Sequence, residues 1–412
     1  MSNKSLEPLE FEKLKLDLSF GDQGVVSFPG LKGQCRTIAL DGSSRLVVAI
    51  WTYPDTEVFR LNADGSVDRD FGMNGSVLVQ FEAGFNSVVS QIFIQPDGKI
   101  LLSGLRRQPD KSIGLPALAR LMEDGKPDPE FGVDGKVVLR VDTKDLNLTT
   151  RDGGLVQGQP GQFWMTFPYA VIDPSGIGVT TTLLLRIDGA TGQLLSQRPL
   201  QHRGISTNLN HISITADNKI LLSGDTDELV SGLSIRRILL TRYDLDGWSD
   251  PSFGDRGSVW FGPESGNYST GHTLSLDAGN GEYTIMVFGS DNHKALAMRF
   301  MASGQPDIGF NNGQPRFTEI EGGLYWGFAS RLSSGKLLLF GGISGDGIET
   351  EFCVARMLED GILDTTFSKE GWKLGPDRTS IWGMVLQHDG RLVVAADDNT
   401  NGSVPKVFGF QL

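Results

Sequence analysis

Cysteine is almost missing from this chain. Cys35 and Cys353 are the only two in 412 residues, which excludes a disulfide framework and a cysteine-based zinc ligand set. Both sit in apolar, strand-like segments (CRTIAL and FCVARM), so they are expected as buried free thiols. No uninterrupted apolar run approaches the roughly eighteen residues that a membrane-spanning helix needs. The segment from Met1 to Phe20 holds neither the apolar stretch nor the small-residue cleavage site of a secretory signal. The expectation is a soluble, cytoplasmic protein with no membrane insertion. Clusters of Lys and Arg are missing too. With 37 Lys+Arg against 50 Asp+Glu, the net charge is −13, and such a surface repels phosphate backbones, so nucleic acid is not an expected partner.

The common catalytic signatures are also lacking. His202, His211, His272, His293 and His388 show no HExxH or other metal spacing. There is no GxSxG elbow, and the Gly-Lys pairs are followed by Ile, Pro, Val or Leu, never by the Ser or Thr of a phosphate-binding loop. No cofactor is expected.

What the chain does have is glycine, 53 residues of it, arranged in a repeat. Asp-x-x-Phe followed by Gly and a β-prone residue recurs as DLSFGDQGVV from Asp17, DRDFGMNGSV from Asp68, DPEFGVDGKV from Asp128 and DPSFGDRGSV from Asp250. Weaker copies start at Asp307 and Asp364, and a degraded one is expected near Gly192. The successive intervals are 51, 60, 64, 58, 57 and 57 residues. Between the marks lie two strand-like runs joined by a tight turn, as in QIFIQPDGKILLSG, and then a third run ending at Asp-Gly, as in ALARLMEDG. With the strand after Phe-Gly, each unit holds four strands, the signature of a propeller blade.

Seven such modules predict an all-β fold: one seven-bladed β-propeller domain over residues 1–412, with four antiparallel strands per blade and residues 1–15 as an extension. The last copy, ending in VFGFQL, lacks its fourth strand, while the N-terminus begins with an orphan fourth strand. Residues around Gly24 to Phe28 are therefore expected to complete the C-terminal blade and remove the open edge of the ring.

This pattern, D-x-x-FG-x-x-G-x-V with IQPDGKILLSG and ALARLxxDG, resembles the bacterial delta-60 repeat family over nearly the whole chain after residue 10. The resemblance implies the fold and carries no catalytic residues, because the family is defined by its repeat. On physical grounds, too, the repeated residues read as architecture. The Asp suits an Asx-turn. Phe20, Phe71, Phe131, Phe253, Phe310 and Phe367 are expected to wedge between blades, and Gly24, Gly75, Gly135, Gly257, Gly313 and Gly371 to supply positive φ.

Strand alternation puts the PDGK and EDG turns on one face, short and uniform. The other face collects the loops that differ in every blade, and binding usually resides on such loops. That variable face is rich in aromatics, including Trp51, Tyr53, Tyr325, Trp326 and Trp382, the kind of side chain that buries large area at low entropy cost. The residues entering each innermost strand, approximately Arg36, Ser90, Gly154, Asn210, His272, Gly327 and Trp382, should rim the channel. Asp397-Asp398-Asn399-Thr400-Asn401-Gly402 matches the first half of a Ca²⁺ loop, but Phe408 stands where the bidentate Glu belongs. Asp397, Asn399 and Asn401 are therefore read as a hairpin loop, not a metal site.

The expected function is a non-enzymatic binding or scaffold propeller recognising a protein, glycan or small molecule through Arg36, Trp51, Tyr53, Asn210, His272, Tyr325, Trp326 and Trp382. The alternatives are a hydrolase or lyase at the channel mouth, and a structural part of a secreted or surface assembly.

Overall fold

A computed structural model describes residues 12–412 except 110, 112, 143–148, 151–152, 173–177, 201–205, 263–267, 278–282, 292, 321–322 and 346–347. The chain forms seven antiparallel sheets, each a propeller blade. Blade 1 runs outward from the channel as Gln34–Leu40, Leu46–Trp51, Thr56–Leu61 and Ser76–Val79, and blade 2 as Asn86–Ile94, Ile100–Arg107, Gly114–Leu121 and Lys136–Val138. An apolar fraction of 39% suffices because the core is divided into layers between neighbouring blades. One layer, for example, joins Val47, Ala49 and Phe71 of blade 1 to Val89 and Leu102 of blade 2. Among the described residues no helix is long and apolar enough to cross a membrane.

The ring closes as expected and then goes further. Val25–Ser27 pairs with the C-terminal strand Val404–Gln411, Val25 opposite Phe408, and Lys15–Leu16 pairs with the end of the same strand. Upstream, residues of the N-terminal extension form an isolated parallel bridge to the outermost strand of blade 6: the Leu14 amide donates to the Leu374 carbonyl at 2.8 Å, and the Leu374 amide to that of Glu12 at 2.9 Å. Lys13 bonds Asp377 there. The N-terminus thus ties blade 6 to blade 7 as well as completing blade 7, a second clasp that the repeat pattern does not encode.

The Asp-x-x-Phe motif is an excursion that interrupts the outermost strand. Each Asp caps the amide two residues on, as in Asp68 with Asp70 and Asp128 with Glu130, and Gly75 and Gly135 take φ of 102° and 77°. Each Phe is buried, and all but Phe367 meet the turn glycine of the next blade. A Cβ on Gly125 would lie 2.9 Å from the Phe71 ring and one on Gly192 2.5 Å from that of Phe131.

Sequence reasoning missed one partner in this motif. An arginine on the third strand, eight residues before the Asp, bonds it through Nε: Arg60–Asp68 at 2.7 Å, Arg120–Asp128 at 2.6 Å, Arg242–Asp250 at 3.0 Å, Arg299–Asp307 at 2.6 Å and Arg356–Asp364 at 2.7 Å. The guanidinium also lies over the motif Phe, 4.4 Å from the ring centroid for Arg120 and Phe131. In blade 7 Arg391, from the hairpin turn, takes this role with Asp17 and Phe20. Most of these arginines reach on to a turn carbonyl of the next blade, such as Arg242 to Ala302 and Arg299 to Glu359, both at 2.7 Å. Asp, Arg and Phe are therefore one staple between blades.

Blade 3 lacks it. Gly192, expected as a degraded Asp position, is instead the turn glycine, equivalent to Gly125. Its outermost strand, Leu194–Leu200, starts two residues later, where Lys136 starts eleven residues after Gly125. The excursion is missing. Trp164 substitutes for the wedge, lying 3.3 Å from where a Gly247 Cβ would stand.

Candidate functional site

The innermost strands share one irregularity near the variable face. Their register with the second strand slips by one residue between Cys35 and Thr37, Val89 and Gln91, Leu209 and His211, Thr270 and His272, Trp326 and Phe328, and Ile381 and Gly383. The extra residues are Arg36, Ser90, Asn210, Gly271, Gly327 and Trp382. A bulge of this kind leaves one residue unpaired and re-aims side chains. Five of the expected rim positions are thus the bulge residues themselves. In blade 5 the bulge falls on Gly271, one position before His272, whose side chain lies outside the described residues. In blade 3, Gly154 sits in the gap of a split innermost strand, between Thr149–Thr150 and Leu155–Gln157.

The bulge explains the glycine that ends the second-strand motif. A Cβ on Gly104, Gly224 or Gly341 would fall 2.0, 1.8 and 1.8 Å from the carbonyl oxygens of Val88, Asn208 and Tyr325. No side chain fits at those three positions as the backbone lies there, whereas blades 1 and 7 carry the same bulge opposite Ile50 and Ala396.

The corner between blades 7 and 1 brings together residues far apart in sequence. The Arg36 guanidinium lies 4.9 Å from the Trp382 ring centroid. The Trp382 indole N–H donates to Asp397 Oδ2 at 2.6 Å, and the Cys35 amide donates to Asp397 Oδ1 at 2.8 Å. Asp397 is 1% exposed. Burial raises its carboxyl above the ordinary range, against the lowering effect of those two hydrogen bonds and of Arg36. Burial also pushes the Cys35 thiol well up, making it a poor nucleophile. Both carboxylate oxygens are engaged in holding this corner.

The Ca²⁺-like segment behaves as a hairpin loop. Asp397 is used as described, Asp398 pairs with Lys406 at 2.6 Å, Asn399 donates to Ser380 Oγ at 2.9 Å, and Asn401 is exposed. No group of three or more His, Cys, Asp or Glu among the described residues could hold a metal ion.

Beside that corner, Trp51 ends the second strand of blade 1. Its indole N–H reaches the Pro54 carbonyl at 3.4 Å, and its ring meets that of Tyr53 edge-on at 5.8 Å and 71°. Tyr53 is 58% exposed. Beneath them Asp55 is buried, with one oxygen accepting from Gln80 Nε2 at 3.1 Å and the other unpartnered. Asn210 likewise keeps a buried, unpartnered Oδ1. Tyr325 lies over Gly342, where a Cβ would meet its ring at 2.7 Å. Trp326 needs correcting as a contact residue: it is fully buried in the layer between blades 5 and 6, because its place just before the bulge turns it inward.

The variable face is also uneven. In blades 3 and 4 the middle strands run eleven residues each, as in Ile220–Val230 and Leu233–Tyr243, against six in blade 1. At about 3.3 Å per residue the extra five residues raise a wall of about 16 Å. Arg36, Trp382, Trp51 and Tyr53 all lie on the low side of the mouth.

Comparison with known proteins agrees with the architecture. The model of a β-propeller domain of unknown function, DUF5122, matches residues 44–71 and 95–131, so these two segments are similar to that propeller domain. No curated protein matches the chain. Among solved structures, the polysaccharide lyase PL25, an ulvan lyase, aligns at 11% identity over 94% of this chain and 96% of its own, with a TM-score of 0.52. An inactive variant of virginiamycin B lyase from Staphylococcus aureus, solved with quinupristin, aligns at 11% identity over 93% and 98%, with a TM-score of 0.50. At such identity these likenesses establish the fold alone: the chain is a seven-bladed β-propeller.

Proposed function

We propose that this chain is a cytoplasmic binding module of the bacterial delta-60 repeat type, recognising its ligand on the low side of the variable face. The observation that carries this reading is the corner of Arg36, Trp382 and Asp397. Its groups are bonded to one another and fixed, which suits a contact surface, since rigid aromatic and arginine side chains lose little entropy on binding. Trp51 and Tyr53 extend that surface outward, and the wall of blades 3 and 4 bounds it on the far side. A protein, glycan or small molecule seated there would meet amphipathic aromatics and one guanidinium.

The test is recovery of bound material from host lysate by the wild-type protein and by a Trp51→Ala/Tyr53→Ala/Trp382→Ala variant, both shown to be folded. The expected result is at least one ligand recovered by the wild type and lost from the variant. Identical recovery from both, or turnover of a substrate in a hydrolase and lyase screen, would overturn the proposal.

A further inference from the structure

The loss of the excursion in blade 3 leaves an arginine without its usual partners. Arg186 holds the third-strand position that Arg120 holds in blade 2. Every other staple arginine bonds an aspartate. Arg186 instead donates Nε to the Gln162 amide oxygen at 2.8 Å and lies 5.6 Å from the Trp164 ring centroid. Among the described residues it has no carboxylate, and its terminal nitrogens do not reach the next blade's turn. Arg198, on the outermost strand, is in the same condition: it stacks on Trp248, 4.0 Å from the ring centroid, and pairs with no acid. Trp248 is 62% exposed.

Register puts these groups on one surface. Arg186 stands opposite Ser196 and Leu184 opposite Arg198, so the two arginines are diagonal neighbours on the same sheet face, about 7–8 Å apart. On a chain of net charge −13, two half-buried guanidinium groups without counter-charges, beside an exposed indole, form a local positive notch. A guanidinium fork binds a carboxylate bidentately. Alternate side chains of an extended peptide are separated by about 6.6 Å, close to the spacing of the two arginines.

We propose that this notch at the outer foot of blade 3 docks an extended acidic peptide segment of a partner protein. Two carboxylates two residues apart engage Arg186 and Arg198, supplying in trans the charge that other blades carry in their own aspartate. The next alternate side chain of the segment, apolar, rests on Trp248. The site lies on the uniform-turn side, away from the variable face, so it stands or falls independently of the function proposed above.

The probe is a fluorescein-labelled peptide with glutamates at two alternate positions and a leucine at the next alternate position, compared by fluorescence anisotropy with its twin carrying glutamines. Binding of the glutamate peptide, weakening as salt is raised, and at least about tenfold weaker binding of the twin are expected. Arg198→Gln should weaken binding about tenfold. So should Ser196→Asp, which places an internal carboxylate opposite Arg186 at an exposed strand position while leaving both arginines in place. Circular dichroism confirms that both variants fold. No binding of the glutamate peptide at millimolar concentration, equal binding of the two peptides, or binding unchanged by both substitutions would overturn the proposal. So would tighter binding of an oligogalacturonate than of the peptide through the same arginines, because the notch would then read acidic carbohydrate.

Discussion

Blades 2 and 3 are adjacent, and both are antiparallel sheets, yet they hold to their neighbours by different chemistry. Blade 2 uses the repeat's staple: Arg120 bonds Asp128, covers Phe131 and donates to the turn of blade 3 through Ala190 at 2.8 Å. Blade 3 has no aspartate and no phenylalanine at those places. It fills the wedge with Trp164, from its second strand, and keeps the arginine. The contrast separates what a propeller needs from what the repeat supplies. The packing of an aromatic under the next blade's turn glycine persists in both, while the ion pair does not. The wedge is therefore the essential element and the buried pair an accessory that also fixes geometry.

The largest expected effect tests that ranking. Phe71→Ala and Trp164→Ala each empty a buried wedge and should each destabilise by about 3–5 kcal/mol in denaturant unfolding. A loss below about 1 kcal/mol for Trp164→Ala alone would show that blade 3 is held by something other than its wedge. Next, Arg120→Gln leaves the buried Asp128, 1% exposed, with Lys99 at 3.0 Å as its remaining cation, and should cost about 3 kcal/mol, the lower end for breaking a buried pair. Arg186→Gln strands no carboxylate and should cost less than about 1 kcal/mol, the scale of one cation–π contact. Equal costs would break the comparison.

The difference between the two blades also marks where the sequence was readable. The period, the four strands per unit, the seven blades and the closure by Val25–Ser27 all follow from patterns that repeat. The rim positions Arg36, Ser90, Asn210, Gly327 and Trp382 could be placed as well, because they sit at a fixed offset from the tight turn. The staple arginine was written in the motif, as the R of ALARL, TRYDL and AMRFM, yet a lone arginine in an apolar run carries no period of its own and reads as an outward residue. The bond from the Cys35 amide to Asp397 and the pairing of Glu12–Leu14 with Leu374 of blade 6 join segments hundreds of residues apart, and the inward turn of Trp326 depends on packing against blade 5. No local pattern reports them.

Acid sharpens the comparison at a smaller scale. Hydrogen bonds from Ser19 and Arg391 hold Asp17 down at about 2, and Lys336, Thr366 and Arg356 hold Asp364 well below the ordinary carboxylate range. A depressed carboxylate contributes stability that is complete above its unfolded value of 3.8 and is lost as pH falls through the folded value. Thermal unfolding should therefore be insensitive to these groups above about pH 4 and weaken progressively from there towards about pH 2. Asp17→Asn should flatten that part of the profile. Blade 3 has no staple aspartate, and its depressed carboxyl is that of Asp188, held down by Thr191 within its own turn, so Gln162→Ala, which removes the neutral partner of Arg186, should leave the slope unchanged.

The smallest expected effect concerns the face on which binding is proposed. Trp51 and Tyr53 touch each other more than they touch the core, and the layer between blades 1 and 2 is built from Val47, Ala49, Phe71 and Val89 without them. Tyr53→Ala should therefore change unfolding free energy by no more than about 0.5 kcal/mol, the ordinary range for an exposed site, whereas the repeat's own aromatics cost several times that. An unfolding free energy that falls by 2 kcal/mol or more would mean that Tyr53 belongs to the architecture. A near-silent change, measured by denaturant titration, leaves an aromatic that the fold does not require at the low side of the mouth, as a contact residue should be.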